Sequence, residues 1–197
     1  MKYPDLTAGD GEFLLNLIGG WEKFQQLKTG ALTLVVKGSD LLKQVAIATV
    51  QSIGEFVAKD DFKVDTSAKA KVKIGCLGDN FTKHFLPKVE RDVPATELAV
   101  YTLAKASLDI PILAELGDKA ETTLAHLWQL LQKQGNGQAG TLLTNGYANI
   151  FYIRDSDGTL WAVCADWDAS CGGWDVEAGS VDGPDGWSAG LRVVSRK

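Results

Sequence analysis

The segment Gly135-Asn-Gly-Gln-Ala-Gly140 constrains this chain more than any other, because the hydrophobic period changes there. Before it, apolar residues recur at steps of three and four, the spacing of one helix face. After it, apolar and polar residues alternate, punctuated by Gly and Asp, as in half-buried strands. Residues 140–197 also hold four of the six tryptophans. The expectation is an α+β protein. A helix-rich body with a short sheet spans residues 1–139, and a Trp-rich, four-stranded antiparallel β-meander spans 140–197. The apolar face of the meander must be covered, most simply by the helices, giving one continuous core.

The boundary also divides the charge. Residues 140–197 carry 8 acidic and 4 basic side chains, so most of the net charge of −5 belongs to the β unit. An acidic chain with scattered lysines offers no footprint for a phosphate backbone, which argues against nucleic acid as a direct ligand. The start of the chain lacks the basic, apolar and small-residue segments of a signal peptide. Apolar runs such as Ala31–Val36 are too short to span a bilayer, so no membrane partner is expected. Three cysteines, Cys76, Cys164 and Cys171, form no disulfide framework and read as reduced thiols of a cytoplasmic protein.

Four helices are expected in the body. The first starts near Asp10 and runs through Leu14, Leu17, Ile18, Trp21 and Phe24 to Thr29-Gly30, with Gly19-Gly20 as a kink or close crossing. Ala31–Val36 fits either a strand or a helix. The second helix is capped by Ser39 or Asp40 and takes in Leu42, Val45, Thr49, Ile53 and Phe56. Val72, Ile74 and Cys76 alternate as a strand, with Cys76 a buried small hydrophobe. The third helix opens at Pro94, continues through Leu98, Leu103 and Leu108, and closes before Pro111. The fourth follows an Asp118/Glu121 capping box, burying Ala120, Leu124, Leu127 and Leu131 and leaving His126 at its surface or boundary.

Turn chemistry sets the register of the β unit. Two turns are possible: a two-residue Asp157-Gly158 turn, which would put Phe151 opposite Cys164, and a three-residue loop Ser156-Asp157-Gly158 with Gly158 left-handed, which is preferred because it puts Phe151, Ile153, Trp161, Val163, Ala165 and Trp167 on one face. The next turn lets Trp167 face Trp174, extending that face through Val176 and Ala178. On the other face Asp166 then opposes Asp175, and Cys164 opposes Glu177. Like charges directly across a strand pair repel, which raises a carboxyl pKa and prepares it for acid–base chemistry. Asp166, Asp175 and Glu177 are therefore the candidate catalytic residues; the plain alternative is a solvated strand face. Trp187, with Asp182 and Asp185 in its loop, is the candidate binding group, whereas Trp161, Trp167 and Trp174 belong to the core.

Other signals are weaker. Asp155-Ser-Asp157-Gly158 lacks the remaining ligands of a calcium loop and reads as a turn. His84 is the nearest base for a nucleophilic Cys76, but nothing in the spacing brings them together. No zinc spacing, Walker loop or dinucleotide fingerprint is present, so neither metal nor cofactor is expected. The leading expectation is a non-enzymatic protein that binds a protein partner, or a second copy of itself, through the β unit. A hydrolase or cation-dependent enzyme at Asp166/Asp175/Glu177, and a glycan-binding module near Trp187, are the alternatives.

Overall fold

The computed structural model describes residues 20–28 and 40–197. The chain divides into two compact units, Met1–Gly38 and Ser39–Lys197. In the first, the described element is helix α1 (Trp21–Lys28), which begins after Gly20 at a φ of 95°. Gly20 therefore precedes this helix and does not kink it. Trp21 and Phe24 are exposed and stack on each other at 5.3 Å. The expected helix over residues 10–19 and the ambiguous segment 31–36 lie outside the described residues.

The second unit is organised by an eight-stranded mixed sheet. Its strands run in the order β1 (Leu42–Val50), β5 (Thr96–Leu103), β10 (Arg192–Arg196), β7 (Asn149–Arg154), β8 (Leu160–Asp168), β9 (Gly173–Ser180) and β3 (Ile74–Leu77). The two-residue β6 (Glu121–Thr122) pairs with β7, and β2 (Ile53–Val57) pairs with β4 (Val89–Val93) in a separate sheet. The helices are α2 (Ala58–Asp61), α3 (Asp79–His84), α4 (Asp109–Leu116) and α5 (Leu124–Lys133). No described helix is long and apolar enough to cross a membrane.

This architecture overturns the expectation of a helix-rich body with a four-stranded antiparallel meander, since among the described residues strand (39%) exceeds helix (22%). The second expected helix is β1 and β2, joined at Gln51-Ser52. Only the step from Thr49 to Ile53 crosses that turn; the steps from Leu42 to Val45 and Thr49 lie within β1, which carries a register shift between Gln44 and Ala46, and the step to Phe56 lies within β2. Val45, Ile47, Thr49 and Val50 are β-branched, and their restricted χ1 favours the extended chain. The third expected helix is β5, where Leu98, Ala99 and Val100 are all buried because both faces of the strand are covered. A strand covered on both sides loses its alternation and imitates a buried helix. Pro111 does not lie beyond a helix. It occupies the first turn of α4, where no N–H is required.

The fourth helix forms as expected, but by another cap. Thr123 Oγ1 accepts from His126 N at 3.2 Å, while Asp118 lies in a 3-10 turn and Glu121 in β6. Glu90 of β4 adds a carboxylate that accepts from Leu124 N and Ala125 N, a favourable charge at a helix N-terminus. His126 is buried, not peripheral, because α5 is covered almost all round.

In the C-terminal part, β7, β8 and β9 follow the register set by the turns: Ile153 opposes Trp161, Trp167 opposes Trp174 and Asp166 opposes Asp175. The last strand departs from the expected meander. β10 does not extend β9; it crosses to lie parallel to β7 and antiparallel to β5. Residues from both sides of the glycine-rich segment thereby share one sheet.

Two cores result. On one face Phe151, Val163, Trp174 and Val176 pack with Phe62, Phe81 and the α5 leucines. On the other Ile150, Tyr152, Ala162 and Val193 pack with Ile112 and Leu116 of α4. That second core ends near Ala162. Beyond it, the outer face of β8 and β9 carries Cys164, Asp166, Asp175 and Glu177.

Candidate functional site

The acidic face is built by the hairpin registers. Asp155, buried at the β7–β8 turn, accepts from the backbone N–H of Asp157 and of Thr159, each at 2.9 Å. These bonds hold the three-residue loop, with Gly158 at a φ of 85°. The loop sets the register of β8 against β7, and the β8–β9 pairing places Asp166 across from Asp175 and Cys164 across from Glu177. Asp155 is thus a turn residue and not the start of a calcium loop.

The electrostatics follow from position. Burial, then the Asp175, Glu177 and Asp168 charges, push the Asp166 carboxyl up to about 6. Burial also raises Asp175, reinforced by Asp168 and Glu177 and opposed by the Cys76 N–H. Asp175 Oδ1 is buried without a hydrogen-bond partner. The Cys164 thiol, desolvated and beside Asp166 and Glu177, is pushed up to about 12 and stays protonated. No ion pair among the described residues reaches Asp166, Asp168, Asp175 or Glu177. Nor is any group of three or more His, Cys, Asp or Glu among the described residues disposed to hold a metal ion.

Two cavities flank this face. One, of about 400 Å³, is lined by Asp166, Asp168 and Asp175 together with the Thr144–Gly146 loop and Trp167. The other, of about 420 Å³, is lined by Cys164, Glu177, Asp185 and Trp187, with Asn80 of α3 and Asp109 of α4. The structure therefore divides the expected catalytic set, joining Glu177 to Trp187 and Asp185. Asp182 is exposed in the same loop but does not line the cavity. Trp187 is half-buried: its backbone bridges Ser107 and its Nε1 donates to Asp109 Oδ1 at 2.7 Å.

Asp109 is the site residue that the sequence reading missed. It is 4% exposed, and Tyr152 OH donates to the same Oδ1 at 2.8 Å. Burial raises its pKa against these two hydrogen bonds. The pattern Asp109-Ile-Pro111, an acidic residue and a proline in one first turn, is a helix-start signal that could have placed it.

The histidines do not join this face. His84 Nδ1 lies 3.3 Å from Asp155 Oδ2, and the His84 ring packs at a 36° tilt on Trp161 with centroids 4.5 Å apart, so its partner is a carboxylate and not Cys76. Cys76 is exposed and not buried, because a bulge between Ile74 and Cys76 interrupts the alternation of β3. All three thiols are unpaired. No protein-family model matches the chain, and no curated protein or solved structure matches it either.

Proposed function

We propose that the protein is a binding protein whose working surface is the acidic outer face of β8 and β9, and that its partner is a positively charged protein segment. One observation carries this reading: Asp166 and Asp175 face each other with no basic group among the described residues to neutralise them. A like-charge pair costs stability, and a cationic partner relieves that cost on binding. The unpaired thiols fit a reducing compartment such as the cytoplasm.

The test is titration of a fluorescent lysine-rich peptide and its glutamate-rich counterpart into the full chain at low ionic strength. Binding of the basic peptide alone, weakened by added salt and by Asp166→Asn/Asp175→Asn, is the expected result. No binding of the basic peptide, or equal binding of both, would sink the reading. An acid–base enzyme is the second reading, favoured by a carboxyl at about 6 beside a cavity of about 400 Å³. It requires turnover that Asp166→Asn abolishes.

A further inference from the structure

The cavity beside Trp187 has an unequal supply of hydrogen-bonding groups. Its strongest donors are engaged: Trp187 Nε1 is held by Asp109, and Asn80 Nδ2 directs one N–H to Ala178 O at 2.9 Å, leaving the Ser180 hydroxyl and the Cys164 thiol as the other side-chain donors in the lining. Acceptors remain. Both hydrogen bonds to Asp109 fall on Oδ1, and Oδ2 accepts none from the described residues although Asp109 is 4% exposed. The carboxylates of Glu177 and Asp185 and the Asn80 side-chain carbonyl line the same space, with no Lys, Arg or His among the lining residues.

The Asp109 side chain is largely buried, yet only Oδ1 is engaged by neutral donors, and Oδ2 is not sealed from solvent and has room for a further donor. A ligand that completes it must donate hydrogen bonds and carry positive charge. A primary ammonium does both, with three donors and no acceptor. The Trp187 ring in the cavity wall suits the methylene chain that such a group carries, and an indole face attracts a cation. A volume of about 420 Å³ is of small-ligand size.

We propose that this cavity is a receptor for a primary aliphatic ammonium group, held by Asp109 Oδ2 and Glu177 against Trp187. This rests on the reading above, that the acidic face takes a positively charged partner, and specifies the chemistry of one subsite. Two sources present this group: a lysine side chain of a protein, or a free aliphatic diamine.

The experiment is calorimetric titration of the full chain with 1,4-diaminobutane, with a lysine-containing peptide, and with glucose as a neutral control. Each is repeated on Glu177→Gln, Asp109→Asn and Asp166→Asn. Asparagine at position 109 still offers an oxygen to Tyr152 and Trp187; should that variant fail to fold, exposed Glu177 decides alone. Loss of a charge-assisted hydrogen bond should weaken diamine binding roughly ten- to a hundredfold in Glu177→Gln and in Asp109→Asn, whereas Asp166→Asn, on the acidic face outside this cavity, should weaken the peptide and change the diamine far less. Diamine binding without peptide binding supports the cavity and removes the protein partner. Peptide binding indifferent to Glu177→Gln and Asp109→Asn overturns the cavity and leaves the acidic face standing. Binding of neither amine, or preference for glucose, overturns the assignment outright.

Discussion

Asp166 and His126 are each held against their ordinary charge state, with opposite consequences for pH. Asp166 is raised, so its contribution to stability is fully present below the free carboxyl value of 3.8 and is lost as pH rises through about 6. That shift would correspond to about 3 kcal/mol at full weight. The side chain is only half-buried and solvent screens it, so about 1 kcal/mol is the expected effect. Asp166→Asn should therefore stabilise the protein by about 1 kcal/mol at pH 7.5 and by almost nothing near pH 4, read from urea unfolding. His126 is lowered, chiefly by burial, and both ring nitrogens lack partners. Its neutral form fits the fold, so its contribution is present above the free value of 6.5 and drains away as pH falls below it. The wild type should lose up to about 1.4 kcal/mol per pH unit in that window, and His126→Leu should flatten the loss. An equal slope in both proteins would place the acid sensitivity elsewhere.

The glycine-rich segment, as an element, is a packed turn and not a linker. Gln134, 2% exposed, accepts from Leu142 N at 2.8 Å and donates to Gln138 O and Leu142 O. Its backbone carbonyl receives Trp174 Nε1 at 3.1 Å, and Gly135 O receives Lys73 N at 2.8 Å. Gly137 has a φ of 68°, and a Cβ there would overlap the Trp167 ring. Gly137→Ala combines left-handed strain with a clash against a ring already packed on Trp174 at 5.6 Å. It should cost about 2–4 kcal/mol, the range of a strained backbone plus an overpacked contact. Gly146→Ala is the matching control, because its φ of 82° carries the strain without any neighbour in the way. A thermal denaturation in which both substitutions cost the same would show that the Trp167 contact contributes nothing.

At the scale of the whole molecule, the C-terminal strands depend on the rest of the chain. β10 lies between β5 and β7, and the inner face of β7–β9 is covered by Leu124, Leu127 and Leu131 of α5 and by Phe81 of α3. The outer face of β7 and β10 is covered by Ile112 and Leu116 of α4. A fragment of residues 140–197 loses all three covers and one flank of β10. It should show no cooperative unfolding transition and poor amide dispersion by NMR. A sharp transition in the isolated fragment would mean that its own strands suffice.

What the sequence by itself determined is local. Asp155 and Gly158 set a loop length, the loop length set a register, and the register set which side chains share a face, so Asp166 meets Asp175 and Trp167 meets Trp174. These choices depend on backbone geometry within a few residues, and a one-residue slip would exchange every face. The α5 stripe was legible for the same reason. Tertiary structure decided what depends on residues far apart in sequence. Coverage on both faces of β5 erased the alternation that marks a strand, and β10 chose β7 over β9 because that place buries Val193 and Val194 in the two cores. The cavity beside Trp187 required Asn80, Asp109 and Glu177 to arrive from three separate elements, and local spacing carries no record of such a meeting.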